Sequence, residues 1–567
     1  MAWQTDRYRS RLLGTAALLV VVLLAAACGG SGDSQGTGGS GNTNGTAPPL
    51  DPDVTIAATG EPQRGGTLIY GIEAESDGYN PTKNRFAPSG TMVGLAIYDP
   101  LAAFDENGQP QPYLAESLTP SADFKVWTIT ARPNITFHNG ERLDGEAMRI
   151  FFEALRSDQL VGITFKNIDT VAVDPSNPLA VRITMKEPWA TFPVFMTGQG
   201  GMVTAPAMAN DPNSGRHPVG TGPFVFQEWV TDKAVKATRN PNYWRKDANG
   251  EQLPYLDAVE FRPLPDAGTR TSALLSGDIN MIHQTDPQQT KRLQDEAAQG
   301  RIQLVFDRGE REETFFMLNT SRPPLDDIRV RQALAYATNR DLFNQITYEG
   351  RGEIADGVFS QSSRWRGDGA PYPEYDPAKA QQLVNEYESE KGPIRFSLVA
   401  AGTDDRAINL AKEQWAAVGI DVDVSLMEQG QFIANAALGN YQAHAWRQFG
   451  ALDPDYDYIW WTSENAGEGI ALNFARNKDP RIDEALKRGR GTTDIAVRKQ
   501  AYQDVQRYIN EDLPYIWYVR AQWVVAATND VRGITNGPLP NGTPAIPMGG
   551  PGGFGGITFL TQTWLAK

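Results

Sequence analysis

The chain has 567 residues, 21% of them charged and 40% hydrophobic, with one Cys, four His and a net charge of −16. That length exceeds one compact core and predicts two or more domains, while the ordinary apolar share excludes wholesale disorder. An excess of 68 acidic over 52 basic residues argues against a nucleic-acid partner, and a single Cys excludes an intrachain disulfide or a Cys-based zinc cluster.

At the amino terminus Arg7, Arg9 and Arg11 precede an apolar run from Leu12 to Ala27, broken only by Gly14 and Thr15. Charge followed by a short apolar run is the layout of a secretory signal, because a stable membrane span needs roughly 20 residues. The run ends Leu24-Ala25-Ala26-Ala27-Cys28 and resembles the lipobox of bacterial lipoproteins, with the Leu one place earlier than usual. That resemblance implies a signal over 1–27, lipid attachment at Cys28, and a place on the extracytoplasmic face of a bacterial cell membrane. An ordinary secretory signal and a retained anchor helix are the alternatives. Residues 28–63, rich in Gly, Ser, Thr, Asn and Pro, read as a flexible tether with a reach of about 30 Å. Loss of 1–27 leaves 49 basic and 67 acidic residues, net −18, which reads as a solubility feature.

The body reads as mixed α/β. Thr67–Ile72, after the Arg64-Gly65-Gly66 turn, predicts a buried strand, and Val126–Thr130 and Val181–Met185 alternate as half-buried strands do. Asp326-Asp327 predicts a helix cap ahead of Ile328, Arg331, Ala335 and Leu342. Asp376-Pro377 opens a second helix with Leu383, Val384 and Tyr387 inward. A third helix, about 494–511, carries Val497, Ala501, Val505, Tyr508 and Ile509 on one stripe, and the apolar run Tyr515–Ala527 then predicts a strand. No repeat of 20 to 50 residues is evident.

Several motifs, in order over about 470 residues, are similar to those of the family 5 solute-binding proteins of ABC importers, the oligopeptide, dipeptide and nickel binders. They are Tyr98-Asp99-Pro100-Leu101, Pro112-Tyr113-Leu114-Ala115-Glu116-Ser117, and the hairpin from Phe124 to Gly140. They continue with Gly220-Thr221-Gly222-Pro223-Phe224, Arg239-Asn240-Pro241-Asn242-Tyr243-Trp244, and Leu318-Asn319-Thr320 before Arg329–Ala337. Read from their residues alone, these motifs are mostly structural: Tyr243-Trp244 fills core, Gly220 and Gly222 permit an unusual φ, and Arg329 and Arg331 lie on a solvated or salt-bridged face.

The resemblance implies a two-lobed periplasmic-binding-protein-like fold, type II, cluster C, with an extra inserted subdomain. Lobe I would combine 64–92, 205–280 and 526–567, the subdomain 93–204, and lobe II 281–525. Gly277–Asn280 and Val524–Ala526 would be the hinge crossings. The implied role is to capture a small solute, peptide-like, and deliver it to the transmembrane subunits of an ABC permease, acting as a monomer with no cofactor and no metal. A non-peptide ligand (an oligosaccharide, an anionic metabolite or a metal chelate) is the alternative.

In peptide-binding members an aspartate on a Trp-x-x-Asp-x-x-(Asp/Glu)-Pro segment holds the ligand's amine. Here the matching stretch runs from Ala445 to Asp455, and aligned on Asp453-Pro454 the amine-binding place falls on Gly450. Asp453 or Asp455 would then be a displaced anchor. Arg447 would favour an anionic group, or would pair with a neighbouring acid. Trp446, Phe449 and Trp460 would stack on the ligand; on a strand Trp460 and Trp461 would point to opposite faces, so at most one would face a pocket. Tyr79 and Asn80 would form the other lip. An enzyme is the rival class, and a secreted hydrolase the form it would take. No Gly-x-Ser-x-Gly elbow or His-Glu-x-x-His motif occurs in the body after the tether, and His138, His217, His283 and His444 lie far apart, so neither catalysis nor a shared metal site is expected.

Overall fold

The computed structural model describes Ile56 and residues 60–307, 311–367, 371–401, 406–448, 450–549 and 555–567. The signal, Cys28 and nearly all of the tether lie outside the described residues, as does Phe449. No helix among the described residues is long and apolar enough to cross a membrane.

Two large sheets carry the body. The first, seven-stranded, runs in the order Ile302–Phe306, Val524–Thr528, Met281–Gln284, Thr67–Ile72, Ala258–Pro263, Ala234–Arg239 and Phe224–Val230. Thr67–Ile72 sits centrally and pairs in parallel with both neighbours, which explains its run of buried apolar residues. The second, six-stranded, runs Glu353–Ile354, Tyr515–Ala521, Glu312–Leu318, Ala443–Gln448, Arg395–Ala401 and Asp421–Met427. A separate four-stranded antiparallel sheet contains Ala115–Pro120, Val126–Ala131, Ala180–Met185 and Ile168–Val173, and has its own core of Trp127, Phe151, Phe152, Trp189 and Phe192.

The chain passes between the large sheets twice, from Phe306 to Glu312 and back through Gln522 and Trp523. Neither segment expected as a hinge crossing is one of these passages. Gly277, at φ 81°, is the left-handed cap of the helix Ala267–Ser276, and Met281–Gln284 after it is a fully buried strand of the seven-stranded sheet. Residues 281–306, expected in lobe II, therefore belong with the first sheet. Val524–Ala526 lie within a strand, and the run Tyr515–Ala527 is two strands in different sheets, since both halves are buried and look alike in sequence.

Helix capping follows the sequence closely. Asp327, Asp376 and Asp494 each accept a backbone N–H at the starts of Ile328–Ala337, Pro377–Lys391 and Ile495–Asp512. Two details differ. Leu342 belongs to a separate helix, Arg340–Tyr348, capped by Asn339, and is exposed. Val497 is exposed as well, and the buried position beside it is taken by Arg498, which pairs with Asp453.

The family-like motifs converge on one buried carboxylate. Asp99 accepts hydrogen bonds from Tyr243 Oη (2.8 Å), Trp244 Nε1 (2.9 Å) and Thr221 Oγ1 (3.0 Å). Burial pushes the Asp99 carboxyl up to about 6, and these three donors limit the rise. His138 of the signature hairpin contacts the Gly222 carbonyl at 3.0 Å. Gly220 and Gly222 have no positive φ; they are glycines because a Cβ at either would run into the Ile97 carbonyl. Arg329 is salt-bridged to Asp327 and Glu390 as expected, but Arg331 is buried and donates to the Asp512 and Leu325 carbonyls.

Candidate functional site

Strand pairing builds a charged junction where the two large sheets meet. In the Glu312–Leu318 and Ala443–Gln448 pair, Thr314 lies directly opposite Arg447, so Glu312, two residues along on the same face, is the diagonal neighbour of Arg447. The guanidinium reaches out of its own sheet. Nη1 donates to Thr285 Oγ1 (2.8 Å) and Nη2 to Glu73 Oε1 (3.2 Å), both just beyond strands of the seven-stranded sheet. Nε lies 2.9 Å from Glu312 Oε2, and the group sits 5.4 Å from the centre of the Trp523 ring, on the return crossing.

The two carboxylates fare differently. Burial pushes Glu73 up, but Arg447, His283 and Arg270 together outweigh it and hold it below the usual carboxylate range. Burial dominates at Glu312, 2% exposed, and raises its carboxyl to about 7 although Arg447 pulls it down. Arg447 is disfavoured by burial yet pushed above its ordinary value by Glu312 and Glu73, so it stays charged. His283, packed 5.0 Å from Trp523, is lowered by burial to about 4 and is neutral at physiological pH.

The other predicted residues lie elsewhere. Tyr79 and Asn80, expected on a lip, are fully buried: Tyr79 packs edge-on to Trp229, and Asn80 ties Thr82 to Ser214. Trp446 points to the face opposite Arg447, as alternate strand residues must, and stacks on Phe432 at 5.1 Å. Trp460 is half-buried against Phe474, and Trp460 and Trp461 lie on the short helix Tyr458–Trp461 rather than on a strand. Gly450 is buried.

Asp453 and Asp455 do not stand free as displaced anchors. Asp453 pairs with Arg498 Nη2 at 2.5 Å and caps the Asp455 amide. Asp455, 0% exposed, takes Arg490 Nε (2.7 Å) on one oxygen, and Trp189 Nε1 (2.8 Å) and Thr191 Oγ1 (2.5 Å) on the other. Trp189 and Thr191 follow the four-stranded sheet, so their two hydrogen bonds to Asp455 clasp the small subdomain to the side carrying the six-stranded sheet.

Sequence reasoning missed Glu73, Thr285, Glu312 and Trp523. One signal was available: Glu312-Glu313 opens the otherwise apolar Glu312–Leu318 strand, and buried carboxylates at the end of such a strand call for a partner. A polar cavity of about 810 Å³ also exists at the opposite end of the six-stranded sheet. Its arginines are committed to the framework, Arg331 to the carbonyls named above and Arg476 to those of Ala437 and Asn473.

Comparison with known proteins gives three findings. The sequence profile of the bacterial extracellular solute-binding proteins, family 5 Middle, matches residues 109–469. The glutathione-binding protein GsiB of Pectobacterium atrosepticum is 28% identical over 465 residues, covering 78% of this chain and 86% of the relative, and its Escherichia coli counterpart is 26% identical. Among solved structures, the periplasmic binding protein DppA of Helicobacter pylori in complex with the peptide STSA superposes with a TM-score of 0.77 at 21% identity, covering 89% of this chain and 99% of that one. NikZ of Campylobacter jejuni in complex with Ni(L-His) superposes with a TM-score of 0.69 at 21% identity, covering 86% of this chain and 97% of that one. Both share the two-lobed α/β architecture.

Proposed function

Because the chain belongs to family 5 of the bacterial extracellular solute-binding proteins, we propose that it captures a peptide-like solute between its two large sheets and hands it to an ABC permease. The two sheets would be the cores of the two lobes, with hinges where the chain crosses between them, one of them at Gln522-Trp523. Closure around such short crossings needs only a few residues to absorb the change. The observation that carries this reading is Arg447, which leaves the second sheet to contact Glu73 and Thr285 of the first beside the return crossing. A solute bound there touches both lobes only when they are closed, so it shifts the population toward closure.

We assign the chain to the extracytoplasmic face of the membrane, held by lipid at Cys28 on the 28–63 tether, and acting as a monomer without covalent chemistry. The peptide preference is supported by the DppA likeness; glutathione, which the GsiB relatives are named for binding, is itself peptide-like. One observation favours the non-peptide alternative: Asp453 and Asp455, the acids nearest the place that aligns with the family's amine anchor, are held in ion pairs. Native mass spectrometry of protein purified from its own envelope, followed by release of the bound solute, tests the reading. A peptide is expected. A single sugar, anionic metabolite or metal chelate would overturn the peptide assignment, and turnover of an ester or glycoside panel would overturn binding without chemistry.

A further inference from the structure

The junction sets two carboxylates, Glu73 and Glu312, against one cation, Arg447. Arg447 gives Nη1 to Thr285 and Nη2 to Glu73, leaving Nε against Glu312. Neither oxygen of Glu312 accepts a well-formed hydrogen bond, although both are buried. Trp523 Nε1 is close enough to that carboxylate to lower its pKa, yet it too is buried without a well-formed hydrogen bond. A buried carboxylate in this condition carries a desolvation penalty of several kcal/mol unless something else neutralises it.

The surrounding charges do not supply a second cation. From the first sheet's side come Glu73, His283, Arg270 and Asp307. Arg270 spends its donors on the His283 and Leu264 carbonyls and on Gln284, and His283 is neutral. Asp307 adds negative charge and accepts from the Gly556 amide. From the second side come Arg447 and Tyr348, whose hydroxyl is raised by burial and stays protonated.

We propose that Glu312 is the specificity-determining acid of the cleft, taking a cationic group of the solute, an ammonium or guanidinium, beside the face of Trp523. This rests on the cleft reading above and names the chemistry the cleft selects. Without solute, Glu312 keeps its proton up to about pH 7, and the guanidinium of Arg447 is its only cationic contact among the described residues. The protonated group favours the unliganded closed protein at low pH, and that contribution is lost as pH rises through 7. A solute cation pulls the carboxyl back down and releases the proton, so binding tightens with pH across that window.

The test is calorimetry on the full chain with free-amine tripeptides, their N-acetylated counterparts, arginine and putrescine, from pH 5.5 to 8. Free-amine ligands are expected to bind about tenfold or more tightly than their acetylated forms, to tighten about tenfold between pH 5.5 and 7, and to release a proton. Glu312→Gln is expected to remove both the preference and the pH slope while leaving the acetylated forms unaffected, and Glu312→Asp to keep the slope. Matching circular dichroism and unfolding midpoints establish that the variants fold. Equal binding of acetylated forms, a pH slope that survives Glu312→Gln, or no cationic ligand bound at all would each overturn the proposal. These outcomes leave the cleft reading standing; that reading falls if solute binding leaves the distance between the two sheets unchanged.

Discussion

Asp455→Ala is expected to lower the unfolding free energy by about 3–5 kcal/mol, the usual consequence of removing one partner of a buried ion pair. The carboxylate is fully buried, and its loss strands the Arg490 guanidinium, whose side chain is 9% exposed, together with Trp189 Nε1 and the Thr191 hydroxyl. The Arg490 guanidinium is also packed 3.5 Å from the Tyr458 ring centre and 4.5 Å from that of Trp189, so it has no easy route to water. The midpoint of denaturant unfolding reads the effect, with Asp455→Asn as a milder comparison that keeps the volume. A loss under about 1 kcal/mol would mean that Arg490 escapes to solvent and that the clasp to the small subdomain is dispensable.

The second large effect falls on binding. Arg447→Met removes the cation that joins Thr285, Glu73 and Glu312, and leaves two carboxylates facing each other where the sheets meet. Glu73 loses the strongest of the groups that hold it below the usual range, so its proton affinity rises. Closure around a solute then loses about 2–5 kcal/mol, thirtyfold or more in Kd, read by calorimetry with the solute released from the envelope-purified protein. Arg447→Lys should fall between, since a lysine keeps the charge but not the three-way fork. A Kd within about twofold of the wild type for Arg447→Met would remove this residue from the closing contact.

Much of the fold is legible in the sequence because its cues are local. The caps at Asp327, Asp376 and Asp494 act over two or three residues, and the strand Thr67–Ile72 declares itself by composition. The ordered motifs are legible as a set, and their meeting at Asp99 shows why: Thr221, Tyr243 and Trp244 are read separately but satisfy one buried carboxylate. Their resemblance therefore reports the framework more than the ligand.

The site was harder to read for reasons of register and distance. Glu73 and Arg447 are 374 residues apart, and nothing local to either names the other. Trp446 and Arg447 look like one binding surface in sequence, yet the strand period sends them to opposite faces. Val497 and Arg498 compete for one buried position, and the charge of Asp453 decides in favour of the arginine. The crossing at Gln522-Trp523 is hidden because buried strands of two different sheets flank it without a polar break.

On the proposed function, solute binds between the two sheets and draws them together. The chain has one cysteine, Cys28, so in a Cys28→Ser background two introduced cysteines can be labelled cleanly. Lys233→Cys, on an exposed turn of the seven-stranded sheet, and Asp423→Cys, on an exposed position of the six-stranded sheet, report the distance between them. Single-molecule fluorescence transfer with and without the envelope-derived solute should show a broad, longer-distance population collapsing to one shorter distance on binding. A distance distribution that stays unchanged while calorimetry registers full occupancy would rule out closure of the two sheets on the solute.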